Sequence, residues 1–83
     1  MFYLQYTAQA IKSLKKIPKK QRIKILKAVD GLAVSPYIGK KLQGELAGLF
    51  SLRVWPYRIL YVVKKKEILV VILDIGHRQN IYK

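Results

Sequence analysis

The start of the chain has the pattern of one short strand followed by a helix. Residues 2–6 alternate in polarity and are rich in aromatic side chains, which predicts a β-strand. Thr7 is a suitable N-cap for a helix that begins after it. The apolar stripe of this helix recurs at helical spacing and comprises Ile11, Leu14 and Ile17. We expect that stripe to face the core.

A second helix is predicted directly after Pro18. Residues 19–33 carry lysines and one arginine around an apolar stripe with the spacing i, i+3, i+4, i+7, namely Ile25, Ala28, Val29 and Leu32. The two helices have the pattern of an antiparallel hairpin. Such a hairpin cannot bury its apolar stripe alone, so it needs a sheet to pack against.

The second half of the chain predicts a three-stranded antiparallel meander. Residues 49–55, 57–63 and 67–75 are rich in β-branched and aromatic residues, after a glycine-rich loop region that carries Lys40 and Lys41. Pro56 and the segment Lys64-Lys65-Lys66 mark the turns. The prediction is a single α+β domain over residues 1–83, with the order βααβββ and both helices on one face of a small, mainly antiparallel sheet.

The parity of the first turn decides which side chains share a sheet face. An even loop around Trp55-Pro56 places Arg53 opposite Arg58, and an odd loop places them on different faces; both remain open. In the even case the helix-facing side holds Phe50, Leu52, Val54, Ile59 and Tyr61. With Lys65-Lys66 as the second turn, the arginine face also carries the apolar residues Leu60, Val62, Leu69, Val71 and Leu73.

Charge indicates an anionic partner. Seventeen Lys and Arg oppose four acids, giving a net charge of +13, which favours RNA or DNA over a basic surface that serves only solubility. The chain has no cysteine and no signal-peptide pattern at its start, so we expect a reducing, cytoplasmic location. The longest apolar run, residues 68–73, is far shorter than the roughly 20 residues of a membrane span.

The candidate chemistry involves arginines and the end of the chain. Two facing arginines repel unless an anion lies between them, so Arg53 and Arg58 suggest a phosphate site; the alternative is exposed arginines neutralised by Glu45 or Asp74. The tail combines His77, which can move protons or be structural, with Arg78 and Tyr82. Four scattered acids predict no metal site, and no cofactor is expected. RNA supplies its own 2′-hydroxyl nucleophile, whereas DNA should resist.

Several motifs in order resemble the RelE/ParE toxin superfamily over nearly the whole chain. They are the segment 41–48, then Leu52-Arg53-Val54, Pro56-Tyr57-Arg58-Ile59-Leu60-Tyr61, and Gly76-His77-Arg78 with Ile81-Tyr82-Lys83. The resemblance implies a metal-independent endoribonuclease that cuts mRNA on the ribosome, leaves a 2′,3′-cyclic phosphate and is inhibited by a cognate antitoxin. We expect that antitoxin to be a small acidic protein in a toxin–antitoxin hetero-oligomer.

The resemblance also implies roles for individual residues. Arg58 matches the arginine that contacts the scissile phosphate, Arg78 supports it, and Tyr82 lies near the cleaved nucleotide. Arg53 matches a further basic position on the same face, and His77 is assigned proton transfer. Leu49 and Ser51 stand where related toxins carry lysines, so that base assignment fails here, and Glu45 is a weaker candidate. Further RNA contacts are expected from Lys40, Lys41, Lys19, Lys20 and Arg22.

Two rival functions stay open. Chains of the ParE branch share the Tyr-Arg of the middle strand and inhibit DNA gyrase by binding, without cutting RNA. A basic RNA-binding module without catalysis is the third possibility. The positions of cuts in a translated message separate these functions.

Overall fold

The computed structural model describes residues 1–77, which form two helices on one face of a five-stranded sheet. In chain order the elements are β1 (Tyr3–Tyr6), α1 (Ala8–Lys15), α2 (Lys19–Leu32), β2 (Lys40–Lys41), β3 (Phe50–Val54), β4 (Tyr57–Lys64) and β5 (Leu69–His77). The strand order is β1-β5-β4-β3-β2. Only the β1–β5 pair is parallel among the described strands. The predicted α+β architecture is therefore confirmed.

One strand was missed by the sequence pattern. The segment expected as a loop contains β2, whose two residues pair with Ser51 and Phe50 at the edge of the sheet. Two lysines carry no strand signal of their own, because both are solvated and neither is β-branched or aromatic. Their extended conformation follows from pairing with β3, a tertiary contact.

The predicted helix starts and the second helical stripe are confirmed. The Thr7 hydroxyl accepts a hydrogen bond from the Ala10 amide at 3.0 Å, as an N-cap does. It also donates to the Leu73 carbonyl at 2.7 Å, which joins the start of α1 to β5. The buried residues of α2 are Ile25, Val29 and Leu32.

The stripe predicted for α1 is partly wrong. Ile11 is exposed, and the fully buried residue is Ala10, which lies at i, i+4, i+7 with Leu14 and Ile17. The small Ala10 side chain lets the helix approach the sheet closely, and Ile11 is rotated by about 100° toward the edge of the contact. The sheet contributes Ile59, Tyr61, Val70, Ile72 and Ile75 to the core.

The turns set the register of the meander. Trp55 and Pro56 form a two-residue turn, so Arg53 lies directly opposite Arg58, as the even-loop alternative predicted. The second turn is longer than expected, because it comprises residues 65–68 and pairs Lys64 with Leu69. A shift of two residues changes the partners but not the faces, so Val62 and Val71 still share one face and now lie directly opposite each other.

A β-bulge interrupts β5 near its end. Tyr61 pairs with Ile72 while Leu60 pairs with Asp74, which leaves Leu73 as the extra residue. After the bulge, Ile59 pairs with Ile75 and the alternation of faces resumes toward the end of the strand. Within residues 1–77, neither helix has the length and apolar character that crossing a bilayer requires.

Candidate nucleic-acid interface

The open face of the sheet, opposite the helices, carries a pair of arginines. Arg53 is exposed, Arg58 is half-buried, and directly opposite strand residues have Cβ atoms about 5 Å apart. Two like charges at that separation cost up to about 1 kcal/mol, and an anion bound between them reverses the sign of the interaction. The pair is therefore suited to hold a phosphate group in a bidentate manner.

A third cation joins this pair. Lys40 lies opposite Ser51 on β3, which places it on the same sheet face as Arg53, one alternation further along. A shallow depression of about 340 Å³ contains all three cations, and its other lining residues are Ile38, Gly39, Ser51 and Leu52. We call Lys40, Arg53 and Arg58 the basic cluster. Its charge and shape suit a phosphate-bearing ligand.

The acids proposed as neutralising partners lie elsewhere. The Asp74 carboxylate accepts a hydrogen bond from the Ser13 hydroxyl at 2.6 Å and from the Ile75 amide at 2.8 Å. These bonds direct it toward α1 on the helix side. Glu45 lies exposed in a short 3₁₀ turn, Gly44–Leu46. Neither acid lines the depression that holds the basic cluster.

His77 lies on the opposite side of the sheet from the basic cluster. It pairs with Tyr57, and the two rings meet edge-on with centroids 6.1 Å apart. Both residues line a cleft of about 360 Å³ on the helix side, together with Lys16 and Ile17. The reason is the two-residue period of a strand, because Gly76 is the neighbour of Arg58 and the next residue points the other way.

The resemblance assigns His77 to proton transfer at the phosphate held by Arg58, and the structure places His77 on the other sheet face from Arg58. A role for His77 in proton transfer stays a prediction. A substrate that contacted both His77 and the basic cluster would have to pass around the end of β5. Arg78 and Tyr82 lie outside the described residues. Their predicted roles in phosphate binding and beside the cleaved nucleotide stay predictions as well.

The other predicted RNA contacts are spread over the molecule. Lys41 pairs with Phe50, which places it on the sheet face opposite Lys40. Lys19 and Lys20 are exposed in the first turn of α2, on the helix side. The Arg22 guanidinium donates from Nε and Nη2 to the Ile17 carbonyl at 3.3 and 3.1 Å, so it stabilises the helix junction. Only Lys40 of this group joins the arginine pair.

Two features of the interface were missed from the sequence. Trp55, read only as a turn residue, is 61% exposed at the tip of the β3–β4 turn. A large aromatic residue in a turn, two positions from an arginine, was the available signal. The buried Tyr61 hydroxyl donates to the Pro36 carbonyl and accepts from the Gly39 amide, which positions the segment that leads into Lys40. Burial raises the pKa of Tyr61, and the hydrogen bond from the Gly39 amide partly opposes that rise.

The fold and the basic cluster together define a small, strongly basic α+β domain with one open, cationic sheet face. The chain belongs to the ParE toxin family of type II toxin–antitoxin systems, whose family model, described as the ParE toxin of parDE, matches residues 4–82. The resemblance found in the sequence motifs is thereby confirmed.

Known proteins similar to the chain are toxins of this superfamily. Toxin RelG of Mycobacterium tuberculosis is 36% identical over 99% of this chain and 97% of its own length. Toxin RelE of the same organism is 31% identical over 99% of this chain and 87% of its own.

Solved structures agree with the fold. The RelBE2 toxin–antitoxin complex of M. tuberculosis matches with a TM-score of 0.87 and 34% identity, covering 93% of this chain and 98% of that one. The isolated E. coli RelE toxin matches with a TM-score of 0.82 over 99% of this chain and 92% of its own. At 23% identity the latter likeness shows the fold alone.

Proposed function

We propose that this toxin is an endoribonuclease that cleaves mRNA on the ribosome by metal-free attack of the RNA 2′-hydroxyl. The observation that carries the proposal is the basic cluster, three cations in one depression on the open face of a RelE-like sheet. The similarity to Toxin RelG and Toxin RelE supports the same function. The net positive charge of the protein also supports binding to an mRNA that lies within ribosomal RNA, because lysines and arginines attract the phosphates of both.

The reaction needs little from the protein beyond alignment and charge stabilisation. The 2′-oxygen attacks the adjacent phosphorus, the bond from phosphorus to the 5′-oxygen breaks, and the products carry a 2′,3′-cyclic phosphate and a 5′-hydroxyl. Arg58, supported by Arg53, neutralises the negative charge that develops on the phosphoryl oxygens. The 2′-proton leaves and the 5′-oxygen gains a proton; we propose His77 and Tyr82 for these steps, with Arg78 supporting Arg58 on the phosphate.

The donor set supports a metal-free route. Within residues 1–77, no three side chains of the types His, Cys, Asp and Glu lie close enough to hold a metal ion together. A two-metal mechanism requires several carboxylates around one phosphate, and the depression at the basic cluster is lined by none from the described chain.

The test of this proposal is cleavage of ribosome-bound mRNA by the Arg58→Ala variant. Loss of one preorganised donor to a transition-state oxyanion lowers kcat by about 10²- to 10³-fold, and we expect a loss of that size. Arg58→Lys should recover part of the rate, because it keeps the charge but not the bidentate geometry. Circular dichroism must show that both variants are folded.

Lys66→Ala is the matched control, because it also removes one positive charge, here at an exposed position. It lies in the turn at the other end of β4, beyond the roughly 20 Å that the strand spans from Arg58 to Lys64. Its rate should equal that of the parent protein. Full activity of Arg58→Ala would overturn the assignment of the basic cluster.

A second candidate function is inhibition of DNA gyrase, since the matching family model is described as a ParE toxin. Mapping of message ends after brief expression distinguishes the two. Cuts at defined codon positions support the ribonuclease, whereas intact messages with gyrase trapped on DNA support the gyrase inhibitor. Intact messages with neither effect would indicate a basic RNA-binding module.

We further propose that a small acidic antitoxin binds this toxin in the cytoplasm. Several of the structures that share its fold are complexes of a RelE toxin with a RelB antitoxin. The open sheet face offers apolar side chains that are only partly buried, Leu60, Val62 and Leu69, along the strands that lead away from the arginines. A segment that combines apolar and acidic residues would cover both. Copurification of the toxin with its coexpressed neighbour tests this proposal.

A further inference from the structure

We propose that Trp55 is a stacking platform for an unpaired RNA base beside the phosphate held by the basic cluster. This inference rests on the proposed function, because it concerns how the same site holds its substrate. It assigns to Trp55 a part in substrate affinity, distinct from the charge stabilisation that Arg58 supplies.

Trp55 lies close to both arginines along the chain. Trp55 opens the two-residue turn between β3 and β4, two residues after Arg53 and three before Arg58. A strand rises about 3.3 Å per residue, so the backbone of Trp55 lies about 7 Å beyond that of Arg53. An RNA chain whose phosphate is held between the arginines can therefore bring a neighbouring base to the indole ring, because the bases of single-stranded RNA can turn outward.

The Trp55 side chain is 61% exposed, whereas the strand residues that flank the turn, Val54 and Tyr57, pack against the core. Burial in the core therefore does not account for a side chain of this size at this turn. An exposed indole offers a flat apolar surface of the kind that stacks on any base, because every base has a π-face.

Positive charge lies near Trp55. Arg53 and Arg58, on the two strands that its turn joins, line one depression together with Lys40 of β2, and the whole chain carries a net charge of +13. An aromatic side chain next to a cationic groove is the combination by which proteins bind single-stranded nucleic acid. A partner that is apolar without being anionic would leave the repulsion between the two arginines uncompensated.

Because Trp55 is the only tryptophan in the sequence, its fluorescence reports directly on stacking. The probe is a short single-stranded RNA with 2′-deoxyribose at the cleavage site, which cannot react. We expect binding of this RNA to quench the fluorescence, and an RNA of the same length and charge with an abasic position to bind without that quenching. RNA binding detected by anisotropy with no change in Trp55 fluorescence would overturn the inference.

Substitution gives an independent readout. Trp55→Ala should lower kcat/KM for cleavage of ribosome-bound mRNA by about 5- to 100-fold, the range that loss of one stacked base implies. The loss should appear mainly in KM, and Trp55→Phe should restore most of it because the ring is kept. Unfolding midpoints of both variants must match that of the parent protein.

The outcomes separate this inference from the proposed function. If the parent protein does not cut mRNA, the proposed function fails and the inference fails with it. If the parent cuts mRNA and Trp55→Ala cuts it with the same kcat/KM, the inference alone is overturned. A variant that keeps its cleavage activity but loses affinity for the antitoxin would show that Trp55 contacts protein, and would overturn the inference as well.

Discussion

At the scale of single residues, the Tyr61 hydroxyl connects the sheet to the loop that leads into the basic cluster. It donates to the Pro36 carbonyl at 2.8 Å and accepts from the Gly39 amide at 2.9 Å. A Cβ at position 39 would lie 2.5 Å from that hydroxyl, so only glycine fits there. Tyr61 thereby holds the backbone just before Lys40 against the sheet.

The Tyr61→Phe variant should lose stability in a pH-dependent manner. Removal of the hydroxyl leaves two buried backbone groups unpaired, which costs about 1–3 kcal/mol. Burial raises the pKa of Tyr61 in the folded state above the ordinary value of 10.0. The stability contributed by the neutral phenol is therefore complete below pH 10 and is lost as pH rises above it, where the unfolded state ionises first.

Urea unfolding of the parent and of Tyr61→Phe measures this difference at pH 8 and at several values above pH 10. The gap in unfolding free energy between the two proteins should be largest at pH 8 and should shrink above pH 10. Tyr3→Phe, at a position 73% exposed, is the control and should change stability little at pH 8. A gap that widened with pH would contradict the assignment.

At the scale of elements, two hydroxyls hold α1 on the end of β5. Thr7 donates to the Leu73 carbonyl at the bulge, and Ser13 donates to the Asp74 carboxylate at 2.6 Å. Asp74 also accepts from the Ile75 amide. These bonds lie where β5 leaves its regular pairing with β4, just before the residues that pair with Arg58 and Tyr57. The helix therefore fixes the position of the strand end that borders the interface.

The Ser13→Ala variant should weaken this connection. A hydrogen bond to a charged group contributes about 1.5–3 kcal/mol, and we expect the unfolding free energy to fall within that range. Ser35→Ala, at an exposed position outside both helices, is the matched control and should be close to neutral. Chemical denaturation monitored by circular dichroism gives both values. Equal stabilities of the two variants would show that the Ser13 bond contributes nothing.

At the scale of the whole molecule, positive charge covers both sides of the sheet. The basic cluster occupies the open face, and the lysines of the helices, such as Lys19 and Lys20, are exposed on the other side. A substrate that touched both would have to surround the domain, as ribosomal RNA can. The same charge opposes folding, because seventeen bases repel one another with only four acids to offset them.

Salt should therefore stabilise the free protein. The Debye length falls from about 30 Å at 0.01 M salt to about 10 Å at 0.1 M, which screens most of the repulsion between distant surface charges. We expect the midpoint of urea unfolding to rise over this range of sodium chloride. Sodium sulfate is avoided because it also strengthens apolar burial. A midpoint that did not move would show that self-repulsion is negligible.

Most of the elements, and the arginine pair of the interface, were predictable from the amino-acid pattern. Apolar periodicity located β1, both helices and the three long strands, because burial of an apolar face selects the period of each element. The turn predicted at Trp55-Pro56 left two arrangements, with Arg53 and Arg58 opposite each other or on different faces. The structure shows the first.

The remaining features depend on tertiary contacts. Three features depend on how the elements approach one another: β2 pairs with β3, Ala10 rather than Ile11 is buried in the core, and β5 has a bulge at Leu73. The face of His77 depends on them too, since the residues of β5 alternate and the bulge adds one position before it. In the sequence the only arginine adjacent to His77 is Arg78; the sheet pairs His77 with Tyr57, and the pleat separates it from Arg58 on the neighbouring position.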